Sequence, residues 1–197
     1  MKQTEKNSVL SVSDYQSTLD HTLKSLSIPK NYELKNVQNK KQNNSNVLIF
    51  RFEKSDGQNN RLNGEHYSIT VDKDTEKILG FTWMDKSLSE GSLPSPRQTK
   101  EVSKDFLNKI EPGLFNKLEN LWIKPHEEII FDENGKEIKV IGMKYKCYKK
   151  DDDTYAWVIV GPHNQIITFE QEIIWNGGRV TEKWLHDTWL LENGSEQ

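Results

Sequence analysis

With 197 residues, 34% of them hydrophobic and 29% charged, the chain has the length for one domain or two small ones but too little apolar content for a single large core. Six tryptophans compensate in part, because each aromatic ring buries about 150–250 Å². A net charge of −3, from 27 basic and 30 acidic residues without an extended Lys/Arg stripe, leaves no source for the counterion release that drives nucleic-acid binding, so no nucleic-acid partner is expected.

The opening M-K-Q-T-E-K-N-S is polar and reads as a disordered tail, of the kind left when a chain is cut just after a signal sequence or lipoprotein anchor. An amphipathic helix is predicted from Ser13 to Leu26, capped by Ser11 or Ser13, with Tyr15, Leu19, Leu23 and Leu26 at helical spacing and Pro29 as its stop. Lys35, Lys40 and Lys41, set among Asn and Gln, read as a solvated loop. Strand-like runs follow at Tyr32–Val37, Val47–Glu53, His66–Val71 and Lys77–Met84, with turn-rich pieces between them.

After the linker S-L-S-E-G-S-L-P-S-P the same order restarts. Ser95 caps a second helix with Pro96 at its first position, and Val102, Phe106, Leu107 and Ile110 form its apolar stripe. Pro112-Gly113 breaks it, and Leu114–Leu121 reads as a further short helix. Strands are predicted at Trp122–Phe131, Glu137–Lys149, Tyr155–Val160 and Gln165–Trp175, with Asn134-Gly135 turning the first hairpin. Tyr67 and Tyr155, Ile78 and Ile166, and Phe81 and Phe169 each lie 88 apart (155−67, 166−78, 169−81), the mark of a duplicated unit. The expected fold is therefore α+β: two tandem helix-plus-antiparallel-meander units, at 9–87 and 94–176. A C-terminal extension at 177–197 is expected to be helical and to pack on the second unit, with Val180, Trp184, Leu185, Thr188 and Trp189 inward and Glu182 and Asp187 outward. A further strand is the rival reading of that extension.

The stretch Y-S-I-T-V-D-K-D-T-E-K-I-L-G-F resembles the strand–turn–strand signature of PepSY-type domains, including the related YcdB/YcdC repeat of Gram-positive bacteria. Tyr67, Ile69, Val71, Asp72, Thr75, Ile78 and Leu79 fit the pattern, and S-K-D-F-L-N-K-I fits the opening helix. The chain departs from it at Glu76, where Gly is usual, and in the second copy, where G-P-H-N-Q replaces the acidic turn. The resemblance implies a non-catalytic extracytoplasmic module, secreted or anchored as a lipoprotein, that binds or restrains a peptidase or another protein or peptide partner. A cytoplasmic place stays open.

Candidate chemistry is sparse. Asp72, Asp74 and Glu76 have the spacing that starts a calcium loop, but the sixth residue is Lys77 rather than Gly and the twelfth is Trp83, so a plain turn is expected. His21, His66, His126, His163 and His186 show no close metal-ligand spacing. Asp151-Asp152-Asp153 reads as a polar hairpin loop, and Cys147, alternating with Met143 and Tyr145, as a buried structural thiol. Trp157 lies in the apolar run Y-A-W-V-I-V and reads as core. Trp83, Trp122, Trp175 and Trp189 are the candidate partner-binding surface. No catalytic, cofactor or metal residue is expected. The competing reading is a hydrolase or ligand-binding enzyme with a site in the cleft between the two repeats.

Overall fold

The structure, a computed structural model, describes residues 10–193. The polar N-terminal tail and the last residues of the extension lie outside that range. The two predicted helices form with the expected caps. In α1 (Val12–Thr22) the Ser11 N–H donates to the Asp14 carboxylate at 2.8 Å. In α2 (Pro96–Ile110) Ser95 Oγ accepts from the Gln98 N–H at 3.2 Å and Gln98 Oε1 accepts from the Ser95 N–H at 3.0 Å, a reciprocal capping box.

Eight strands follow the predicted runs: β1 (Tyr32–Gln42), β2 (Ser45–Lys54), β3 (His66–Asp72), β4 (Ile78–Met84), β5 (Glu119–Phe131), β6 (Glu137–Lys149), β7 (Thr154–Val160) and β8 (Ile166–Ile173). Lys35, Lys40 and Lys41 lie on β1 rather than in a loop; as an edge strand it tolerates polar side chains on its exposed positions. Leu114–Leu121 yields only a single helical turn at Phe115–Lys117, because the chain enters β5 at Glu119.

The expected pair of helix-plus-meander units is overturned. All eight strands form one antiparallel sheet in the order β1-β2-β3-β4-β8-β7-β6-β5. Strand makes up 42% of the structure against 23% helix, so the sheet sets the architecture. The join is β4 against β8, through Gly80↔Glu170, Phe81↔Phe169 and Thr82↔Thr168. Phe81 thus pairs with the very residue that lies 88 positions on (169−81), which places a local two-fold between them. Gln171 Nε2 prolongs the join by donating to the Ile78 carbonyl at 2.8 Å, and the Thr82 and Thr168 hydroxyls meet at 2.8 Å.

The register also corrects the repeat. Ile69 pairs with Phe81 and Val158 with Phe169, so β3 maps onto β7 at a spacing of 89 (158−69). Tyr67 belongs to the helix-facing core, whereas Tyr155 packs on the other side of the sheet. Their match at 88 is a coincidence of sequence: the connection between the paired Val160 and Ile166 is one residue shorter than that between the paired Val71 and Ile78, so β7 is offset by one from the spacing that β4 and β8 keep.

Both helices cover one face, called the front. Leu19 and Leu107 pack there on Phe50, Ile69, Phe81, Tyr145, Val158 and Phe169. Phe106 sits over the join, 5.7 Å from the Phe81 ring and 5.4 Å from that of Phe169. Cys147 is fully buried in this layer, and burial pushes its thiol up to about 12.

The acidic turn is a turn. Asp72 Oδ1 accepts from the Asp74 and Thr75 N–H groups, both at 2.9 Å, and Glu76 takes the left-handed conformation at φ 60°. Asn164, its counterpart 88 positions on (164−76), is also left-handed at φ 57°.

Two outcomes are expected from these features. Glu76→Gly relieves a left-handed non-glycine at the loss of only a solvent-screened contact to His21, and stabilises by about 1 kcal/mol, a rise in Tm of roughly 2–4 °C. Gly80→Ala places a methyl 2.6 Å from the Phe169 carbonyl oxygen and destabilises by about 1–3 kcal/mol, read by denaturant unfolding; an unchanged midpoint contradicts the role given to the join.

Candidate functional site

The back face is crossed by the C-terminal segment. Beyond β8 the chain doubles back through Asn176-Gly177-Gly178, with Trp175 bridged to Arg179, runs irregularly to His186 and ends in α3 (Asp187–Glu192). The helix expected to start near Val180 thus begins seven residues later (187−180). The segment expected to pack on the second repeat is anchored on strands of both halves. Asn43 donates from Nδ2 to the Glu172 carbonyl and from its N–H to the Glu182 carboxylate, at 2.8 and 2.9 Å. Trp184 packs against Val47, Ile49 and Leu79 and donates from Nε1 to the Lys41 carbonyl at 2.8 Å. Asp187, expected to face solvent, is buried and takes two hydrogen bonds from Arg51 on β2, at 2.7 and 3.1 Å, and a third from the Asn63 N–H.

Between this segment and the sheet lies a cavity of about 630 Å³. Thr82, Thr168, Glu170, Trp157 and Lys144 supply one wall from β4, β8, β7 and β6, with His126 and Glu128 from β5; Arg179, His186 and Trp189 close it from the tail.

Most charges here neutralise one another. Glu170 is almost fully buried, which opposes ionisation, but His186 Nε2 at 3.1 Å and the Arg179 guanidinium at 2.9 and 3.2 Å hold its carboxyl far below the ordinary range. Burial likewise opposes ionisation of Asp187, and the fields of His66, when protonated, and Arg51 outweigh it. Glu128 is pushed up by burial and brought down further by His126, whose Nε2 is 2.8 Å away. His66 is buried completely, and desolvation depresses it to about 4, so it is neutral at pH 7. Its Nδ1 lies 2.7 Å from Ser68 Oγ and its Nε2 3.6 Å from Asp187. Lys144 differs from these paired groups. Burial lowers it to about 8, its Nζ stands 4.0 Å over the Trp157 ring, and among the described residues it has no carboxylate within ion-pair distance.

Among the described residues no three His, Cys, Asp or Glu side chains are placed to hold a metal ion, although three histidines and four carboxylates line the cavity. Of the four candidate tryptophans, Trp175 and Trp189 line the cavity, and Trp122 is linked to Trp175 through Lys146. Trp83 is apart from them, paired with Tyr67. Trp157, read as core, is 5% exposed yet forms part of the cavity wall. The sequence reading passed over Lys144, Lys146, Glu170 and Arg179, and took His186 only as one of five scattered histidines; the usable signal was the i, i+2 spacing in Trp122-x-Lys124, Lys144-x-Lys146 and Tyr155-x-Trp157, which puts each pair on one face of its strand.

The family model of the YcdB, YcdC repeated domain matches residues 17–156, from within α1 to the start of β7. The chain belongs to that family. The matched span leaves out most of β7, all of β8 and the whole cavity-closing segment, so the family match bears on the first six strands more than on the cavity. No curated protein matches the chain. Among the described residues of this family member, no helix is long and apolar enough to cross a membrane.

Two further outcomes follow. The folded-state value of His66 lies below the ordinary 6.5, so the unfolded chain takes up a proton first and stability falls as pH drops from about 6.5 to 4, by about 3 kcal/mol. Unfolding midpoints at pH 7, 5.5 and 4.5 measure this, and His66→Gln removes that part of the slope. Asp187→Asn leaves the Arg51 guanidinium buried with Glu53 alone, at 3.3 Å, and costs about 2–4 kcal/mol, seen as a lower Tm with faster amide exchange over 185–191.

Proposed function

We propose that this chain is a non-catalytic binding module that receives its ligand on the back face of the sheet. The observation that carries the reading is the cavity itself: it is walled by strands of both halves, its carboxylates Glu128, Glu170 and Asp187 are already paired with His126, with Arg179 and His186, and with Arg51, and Lys144 has no carboxylate within ion-pair distance among the described residues. Paired groups give a pocket shape and fixed polarity.

One arrangement favours a hydrolase, the contact of Ser68, His66 and Asp187. Three features weigh against it. Ser68 is 2% exposed and does not line the cavity, Asp187 is occupied by Arg51, and the basicity of His66 is depressed to about 4. A panel of hydrolase substrates, assayed with and without divalent metals, tests the reading: turnover that disappears in Ser68→Ala overturns it.

The reading extends to place. The likeness of Tyr67, Asp72, Thr75 and Ile78 to PepSY-type modules supports an extracytoplasmic module of the cell envelope. Cell fractionation decides that part, and recovery in the cytosolic fraction removes it.

A further inference from the structure

We propose that the back face of β5, β6 and β7, where it runs up to the cavity, binds an acidic glycan: a chain of sugars bearing carboxylate or phosphate groups. This rests on the binding-module reading and names its ligand class.

Two rows of side chains cross these strands. In the first, Trp122, Lys146 and Trp157 are successive cross-strand neighbours. In the second, Lys124 stands directly opposite Lys144. Like charges facing each other across a sheet are destabilising, and here no acid pairs with them directly: among the described residues neither Lys124, Lys144 nor Lys146 has a carboxylate within ion-pair distance, and Glu170 and Glu128 act on Lys144 only from farther off. Their ammonium groups rest on aromatic rings instead. Lys146 Nζ is 4.8 Å from the Trp175 ring centre and 5.4 Å from those of Trp122 and Tyr155. Lys124 is 5.3 Å from Trp122.

An ammonium over an exposed ring gains about 0.5–1 kcal/mol, whereas a hydrogen bond to a charged group is worth about 1.5–3. An incoming carboxylate or phosphate can therefore draw Lys124 and Lys146 off the rings of Trp122, Tyr155 and Trp175 without breaking an ion pair, while Lys144 stays on the buried Trp157. The rings so uncovered are flat apolar surfaces, and the C–H faces of sugar rings stack on such surfaces while their hydroxyls stay in water. Trp175 is already 47% exposed. Trp157, Trp175 and Lys144 also line the cavity, so a chain end can pass from the ladder into a pocket whose Glu170, Arg179 and His186 offer fixed polar partners to hydroxyl groups.

Nucleic acid fits less well. A phosphate backbone is usually held through about 6–10 cationic contacts, and the ladder provides three lysines on a chain of net charge −3. A purely apolar partner would have to bury the same three charges unpaired.

The test is titration of the purified chain, by calorimetry, with oligogalacturonate, a sugar-phosphate polymer, a neutral glucan of equal length and oligodeoxythymidine. Binding to oligogalacturonate or to the sugar-phosphate polymer, whichever anion is preferred, is expected to exceed binding to the neutral glucan by about tenfold and to weaken by a similar factor in Lys144→Gln/Lys146→Gln and in Trp175→Ala, at unchanged circular dichroism. No binding to either acidic glycan overturns the proposal, as do equal binding to the neutral glucan, equal or tighter binding to oligodeoxythymidine, or insensitivity to these substitutions. Concentration-dependent dimerisation abolished by Trp175→Ala assigns the face to a second copy and overturns it too. Shortening of a bound acidic glycan during incubation supports the ligand class and overturns the non-catalytic reading, so the two fail separately.

Discussion

Gly80, Phe81 and Thr82 meet Glu170, Phe169 and Thr168 across the one strand pairing that unites the two halves of the sheet. So short a ladder supplies few backbone hydrogen bonds, each worth about 0.5–1.5 kcal/mol net. The join is accordingly secured from both sides. On the front, Phe106 rests on both dyad-related phenylalanines. On the back, Arg179 grips Glu170, and the tail continues to Arg51 on β2. The close backbone approach at Gly80 is the geometric condition for all of it.

The two faces then diverge in character. The front is a dry aromatic and aliphatic layer, in which even Cys147 is inert. The back carries charged groups into the interior, and these are acceptable there because nearly all are paired and hydrogen-bonded. That contrast locates the ligand-accessible chemistry on the back, and makes the unpaired lysines of β5 and β6 stand out against a background of satisfied charge.

Helices and strands were legible because each carries its own period, 3.6 or 2, and its own punctuation, as at Ser95-Pro96 and Asn134-Gly135. The union of the halves was not, since β4 and β8 pair across a distance that leaves no local pattern, and the repeat of Tyr67 at Tyr155 suggested a register that the shorter connection between β7 and β8 removes. The tail misled in a physical way: Asp187 reads as a surface residue until Arg51, embedded in V-L-I-F-R-F-E, is seen to require a buried acid. The cavity was only half visible. Trp175 and Trp189 were singled out, whereas Trp157, read as core from the run Y-A-W-V-I-V, does pack in the apolar cluster with Ile159 and Ile167 but also meets Lys144 and Arg179 on its cavity side.

The bond between Arg51 and Asp187 spans 136 positions of chain, and this has a bearing on the order of assembly. During synthesis β2 emerges long before α3, so its guanidinium must remain hydrated until the last part of the chain arrives. The first meander therefore cannot close its back surface alone, and the cavity comes into being only in the final step. A chain interrupted after β8 keeps its helices and strands but presents an open, charged trough to solvent, a surface that quality-control proteases and chaperones can distinguish from the finished molecule.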